Sequence, residues 1–293
     1  MSSPRDITRI VTAHRQREGA GFIVRRPFPG PSLALVDPFL MLDEFGPIDY
    51  QPGEARGAPD HPHRGFETVS YLLAGEFEHA DSQGHRGTIG AGAAQWMTAG
   101  AGVVHAEMPS PTIQREGGRV HGFQLWVNLP ARDKLIAPRY QEIAREAVAE
   151  ASSDDGLAQV RVLAGTALGA TARVDTRTPI AFHDWTLRPG AALAVPLPTD
   201  FAGFVYVFSG AAEVGASRQR VSDGQLGLLG PGDELRLANP SDVSTRLLLI
   251  AGTPLGEPVA RYGPFVMNTP AEIEQALRDY QAGKMGVIAA RRD

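Results

Sequence analysis

The chain has 293 residues, a formal net charge of −5 at pH 7, 43% hydrophobic residues and no cysteine. That length exceeds what one core of ordinary size needs, so two domains of about 100 to 150 residues are expected, and the apolar content and acidic balance exclude a disordered chain or one held to nucleic acid by clustered Lys and Arg. Without thiols, disulfides, thiolate catalysis and cysteine-held zinc or iron–sulfur sites are excluded, and any metal must be held by nitrogen and oxygen.

The N-terminal stretch from Met1 to Gly19 carries charges every few residues and lacks the continuous apolar run of a signal peptide. No segment reaches the ~20 apolar residues of a membrane span, so a cytoplasmic protein without a membrane partner is expected. Short apolar runs follow, punctuated by Gly and Pro: Phe66 to Leu73, Val120 to Leu129, Ala202 to Phe208 and Val243 to Ile250. Their Val, Phe, Tyr, Leu and Thr content predicts strands of a sandwich or barrel, and the class is all-β.

Ahead of the first run, His61-Pro62-His63 places two imidazoles at period 2, which in an extended chain sends both to one face. His105-Ala106-Glu107 repeats the geometry with an imidazole and a carboxylate, and Gly100-Ala101-Gly102 supplies the turn that lets the second pair approach the first. Four such donors form an N3O set suited to iron, manganese, nickel, copper or zinc. Glu67 shares the parity of both histidines and is a second carboxylate candidate. We rank Glu107 as the metal ligand and Glu67 as a carboxylate that orients an imidazole or the Arg64 guanidinium. His14, His79, His85 and His183 read as surface or hydrogen-bonded residues, as does His121 at a strand start. Phe66 and Trp96 read as core, whereas Gln124, between the apolar Phe123 and Leu125, points the other way and is placed to bond a substrate or a metal-held water.

Charged and Ser/Asp residues around a possible helix from Gln141 to Ala151 suggest the linker, dividing the chain into a metal-binding domain 1–135 and a second domain 136–293. The halves resemble each other. Sliding His61-to-Gly75 onto Pro196-to-Gly210 aligns Phe66 with Phe201, Tyr71 with Tyr206 and Gly75 with Gly210, but puts Pro196 and Pro198 in place of the histidines. Asp223 to Pro240 contains no histidine, so a second barrel without metal is expected. Near the end, Thr269-Pro270-Ala271-Glu272 gives an N-cap, a first-turn proline and a capping-box glutamate. These predict a helix Pro270 to Gln281 that packs through Ile273, Leu277 and Tyr280 and exposes Glu272, Glu274, Arg278 and Asp279.

Four blocks carry a resemblance to a known family: DPFLMLDEF (Asp37 to Phe45), DHPHRGFETV (Asp60 to Val69), QWMTAGAGVVHAEM (Gln95 to Met108) and QLWVNL (Gln124 to Leu129). This strongly resembles the pirins, most closely in the N-terminal half. The resemblance implies two cupin-type, jelly-roll barrels, the first holding Fe(II) through His61, His63, His105 and Glu107, and the composition fits a bacterial member. It also implies one of two functions. The first is a quercetin 2,3-dioxygenase-like oxidoreductase that takes a flavonol or related enol and O2, with Glu107 accepting the enol proton. The second is an iron-dependent regulator that docks on a transcription factor or a metabolic enzyme, without binding DNA directly.

Overall fold

The computed structural model describes residues 2–289. Strands dominate, and they form two compact units, each built from one seven-stranded and one four-stranded antiparallel sheet. Short alternating runs between glycine and proline turns cannot cover both faces alone, and pairing two sheets face to face buries the inner one.

The chain is not divided into consecutive halves. One unit comprises residues 15–26, 39–145 and 256–293, and the other residues 1–14, 27–38 and 146–255. Two features separate this from the expected division at 135/136. Ile7–Thr12 pairs as an edge strand with Gln225–Leu229 of the second unit. The C-terminal segment belongs with the first unit, where Arg64 bridges to Phe265 and the Val266 amide donates to the Arg64 carbonyl. Both are long-range pairings with no local signal in composition.

The stretch 141–151 is not helical. Arg139–Ile143 pairs with Ala94–Thr98 and Ala149–Ser152 pairs with Ala158–Ala164, leaving only a short 3-10 turn between them. Gln, Glu and Ala are good helix formers, but edge-strand pairing overrides a weak local preference.

The helix Pro270–Gln281 has the expected ends, with Thr269 and Glu272 forming a reciprocal capping box. Ile273 and Ala276 are buried and Leu277 half-buried, whereas Tyr280 is exposed. Asp279 departs from the expectation of a solvent-facing residue: it accepts from Arg64 Nη1 at 2.9 Å and from Lys284 Nζ at 2.8 Å. These donors hold its carboxyl well below the usual range.

The second unit repeats the first in topology. The strand Ala202–Ser209 is central in its large sheet as Phe66–Ala74 is in the other, and Ala192–Pro196 edges its small sheet as Ala58–His63 does. Where His105 faces His61 in the first unit, Leu235 faces Val195 in the second. Val195, Leu197, Leu235 and Leu237 are all buried in an apolar core, whereas Pro196 and Pro198 are exposed. Aliphatic residues therefore take the inward positions, one residue out of step with the prolines that the sequence alignment puts there.

Candidate metal centre

The small sheet of the first unit is ordered Ala58–His63, Val103–Pro109, Phe77–Asp81, Arg86–Ile89. In its register His61 lies opposite His105, and His63 opposite Val103. Period-2 alternation then puts His61, His63 and His105 on one face. Two glycines set the approach. Gly65 and Gly100 both have positive φ, at +88° and +48°, and the Gly65 amide donates to the Gly100 carbonyl. A Cβ at Gly65 would lie 2.0 Å from the Val266 carbonyl oxygen, and one at Gly100 2.1 Å from that of Ile136, so no larger residue fits either turn.

The donor atoms of His61, His63 and His105 lie within 4.8 Å of one another, and their ring centroids are 4.3 to 4.9 Å apart. His63 and His105 are buried, and Nδ1 of His63 and both ring nitrogens of His105 have no hydrogen-bond partner among the described residues. Burial, then repulsion from neighbouring imidazoles, pushes both pKa values well below the ordinary histidine range. Neutral imidazoles with orphaned lone pairs fit a divalent transition metal, since a bound ion would occupy nitrogens that otherwise cost ~1–3 kcal/mol each to bury. The Nδ1 of His61 lies 2.7 Å from the Pro59 carbonyl, which fixes that ring's tautomer and leaves Nε2 for an ion. Three histidines can thus hold a metal ion.

The carboxylates sit differently. Glu107 is outside the 4.8 Å group, because a bulge intervenes: it lies opposite Ala58, while His105, two residues earlier, lies opposite His61. Its Oε1 accepts from the Ser70 hydroxyl at 2.6 Å and its Oε2 from the Gln124 amide at 2.7 Å. Glu67 is also outside the group; it is buried and accepts from Thr98 Oγ1 at 2.5 Å. Arg64, once a candidate partner for Glu67, donates to the Ala101 carbonyl and Asp279 instead.

A cavity of about 490 Å³ opens onto this centre. His61, His63, Ser70, Glu107 and Gln124 line one end; Phe22, Val24, Met41, Phe45, Leu72 and Trp126 supply apolar wall. That volume and lining suit a ligand of two or three fused or linked rings. Gln124 faces the cavity as its alternation implied, although its partner is Glu107. Phe66 and Trp96 are fully buried and do not line it. His121 is bonded to Glu44, His85 to Asp81, and His183 is buried in the second unit. His79 corrects its expectation, being buried, on the cavity wall, stacked on Tyr140 and lying opposite Glu107 in register.

Five residues of the cavity wall carry no signal in the sequence. Ser70 is a small polar residue in an apolar strand and carries no distinguishing pattern. Arg26 comes from the strand Phe22–Phe28, and Arg261, Gly263 and Pro264 come from the hairpin of Ala260–Tyr262 and Phe265–Met267, about 200 residues after the HPH motif. Only pairing across the chain reveals them.

Comparison with known proteins agrees with this geometry. The pirin family pattern matches residues 21–127, and that of the pirin C-terminal cupin domain matches residues 182–286. The chain is 46% identical to a pirin-like protein of Solanum lycopersicum over 99% of this chain and 96% of that one. It is 42% identical to pirin of Homo sapiens over 99% and 97%, respectively. The crystal structure of quercetin 2,3-dioxygenase from Acinetobacter baumannii superposes with a TM-score of 0.91 at 36% identity, covering 98% of this chain and all of that one.

Proposed function

The chain belongs to the pirin family of bicupins, and on that premise we propose that it is a metal-dependent dioxygenase acting on a flavonol or related cyclic enol. The observation that carries this is the group of three histidines, two of which, His61 and His63, line a cavity of ring-compound size. Fe(II) is the proposed ion, and Glu107 its fourth protein ligand, reached by a change of side-chain rotamer from the position bonded to Ser70 and Gln124. When bound, the metal supplies Lewis acidity toward the enol oxygen and open coordination positions.

The residues then have distinct work. Apolar wall residues seat the ring and exclude water. Glu107 accepts the proton of the enol hydroxyl. Gln124 can only donate through Nε2 and so fixes Oε2, whereas the Ser70 hydroxyl can donate or accept, which makes Oε1 the oxygen able to exchange its partner for the substrate proton. In the overall flavonol reaction the two ring C–C bonds flanking the enol carbon break, both atoms of O2 enter the ring-opened ester, that carbon leaves as carbon monoxide and the proton held by Glu107 returns to the product, so no external reductant is needed. The similarity to a protein described as quercetin 2,3-dioxygenase supports this substrate class. Disappearance of flavonol absorbance with matching oxygen uptake by the iron-loaded protein tests it. A protein that holds iron but consumes no oxygen with any flavonol or related enol would instead fit the iron-dependent regulator.

A further inference from the structure

Trp126 stands between the histidine group and a cation. Its ring is 5.2 Å from that of His63, edge-on at 75°, and the Arg261 guanidinium lies 4.7 Å from its centroid. Arg261 lines the cavity from the C-terminal hairpin. Its hydrogen bond to the Leu40 carbonyl is long, at 3.4 Å, and among the described residues no carboxylate comes within ion-pairing distance of it. Arg26, on the same wall, is in the opposite condition: it donates twice to Asp43 and pairs with Glu18 at 2.9 Å. Asp43 and Glu18 are thereby matched, and Arg261 faces the like charge of Arg26. Partial burial and then that repulsion push its pKa down, although Asp43 and Glu18 oppose the shift. A guanidinium with unused planar donors, fixed over an aromatic face beside a ring-sized cavity, is built to receive an oxyanion.

We propose that Arg261 determines specificity, selecting planar ring compounds that carry a carboxylate or phenolate within reach of its guanidinium when the enol meets the histidines. This rests on the reading of the cavity as a site for cyclic enols, and it names which of them fit. The enol end would meet His61, His63 and Glu107, the ring would lie along Trp126, and the anionic group would take the free donors of Arg261.

The test is calorimetric binding, without turnover, of 3-hydroxyflavone and its 4′-carboxylate to the iron-loaded full chain under argon. The expected result is a preference of about 10-fold or more for the carboxylate, the contribution of one charge-assisted hydrogen bond. Arg261→Met, which keeps an apolar stem over Trp126, should abolish that preference while binding the neutral parent within about threefold of wild type, which also shows that the cavity is folded. Arg261→Lys should retain part of the preference, having the charge without the planar fork. No preference in the wild type, an undiminished preference in Arg261→Met, or failure of both compounds to bind would each overturn the assignment. Turnover separates this from the activity: oxidation of both compounds without preference removes only the role of Arg261, whereas preference without oxidation removes only the dioxygenase.

Discussion

The three imidazoles and Glu107 differ in what holds them, and substitution should separate them. His105 brings two orphaned nitrogens into the interior, so His105→Ala removes a donor from a group of three. Metal content measured after dialysis should fall to a small fraction of wild type, because water cannot replace a preorganised ligand against a chelator. Glu107→Gln keeps an oxygen facing Ser70 or the ion and should retain part of the metal, but it should lower any oxygen consumption by at least ~100-fold, since an amide cannot accept the enol proton. Glu67→Ala should retain the metal, weakened by roughly 10- to 100-fold at most, because Glu67 is anchored on Thr98. Retained metal in His105→Ala together with loss in Glu67→Ala would reverse the assignment. The HPH and HAE motifs were legible in sequence because sheet periodicity alone sends their side chains to one face. The placement of Glu107 was not, since it depends on a bulge whose extra residue belongs to the opposing strand.

At the scale of elements, the site strand is held by a buried cation. Lys134 Nζ donates to the Gly65 carbonyl at 2.8 Å, to Asn128 Oδ1 at 2.7 Å and to the Val266 carbonyl at 3.1 Å, tying the turn after His63 to a sheet strand and to the C-terminal hairpin. Lys134→Met leaves three acceptors without a donor in the interior. Urea unfolding should show a loss of about 3 to 5 kcal/mol, the cost of breaking a buried polar set from one side. A loss under about 1 kcal/mol would show that water replaces the ammonium and that the latch is not structural. The C-terminal helix was legible because its cap and first-turn proline are local. Its attachment to the first unit, and the hairpin that delivers Arg261, were hidden because pairing between residues about 200 apart leaves no local pattern. The stretch 141–151 failed for the related reason that pairing outweighed propensity.

For the molecule as a whole, the two units carry opposite interiors. The first converges imidazoles where the second packs Val195, Leu197, Leu235 and Leu237, so metal analysis should return one ion per chain, and the His105→Ala protein close to none. Among the described residues no helix is long and apolar enough to cross a membrane. The second unit's own buried imidazole, His183, gives it an acid sensitivity. Desolvation lowers its pKa to about 4, and its ring nitrogens have no partner. Above pH 6.5 both folded and unfolded forms are neutral; below it the unfolded chain takes a proton that the folded one refuses until about pH 4. Stability therefore falls across that window, by about 2 kcal/mol between pH 7 and pH 5. Denaturant titrations at those two pH values should show that extra loss in wild type and not in His183→Leu; equal slopes would place the ring in water. Most of the two-barrel architecture was legible from strand-length runs and the internal repeat, but the exchange of terminal segments between units was not. Whether the histidine group and Glu107 perform a dioxygenation is tested most directly by oxygen-electrode traces of the iron-loaded wild type and Glu107→Gln with quercetin. One O2 consumed per flavonol lost, in wild type alone, is the expected result; equal traces from both proteins, or no uptake by a wild type of full iron content, would contradict it.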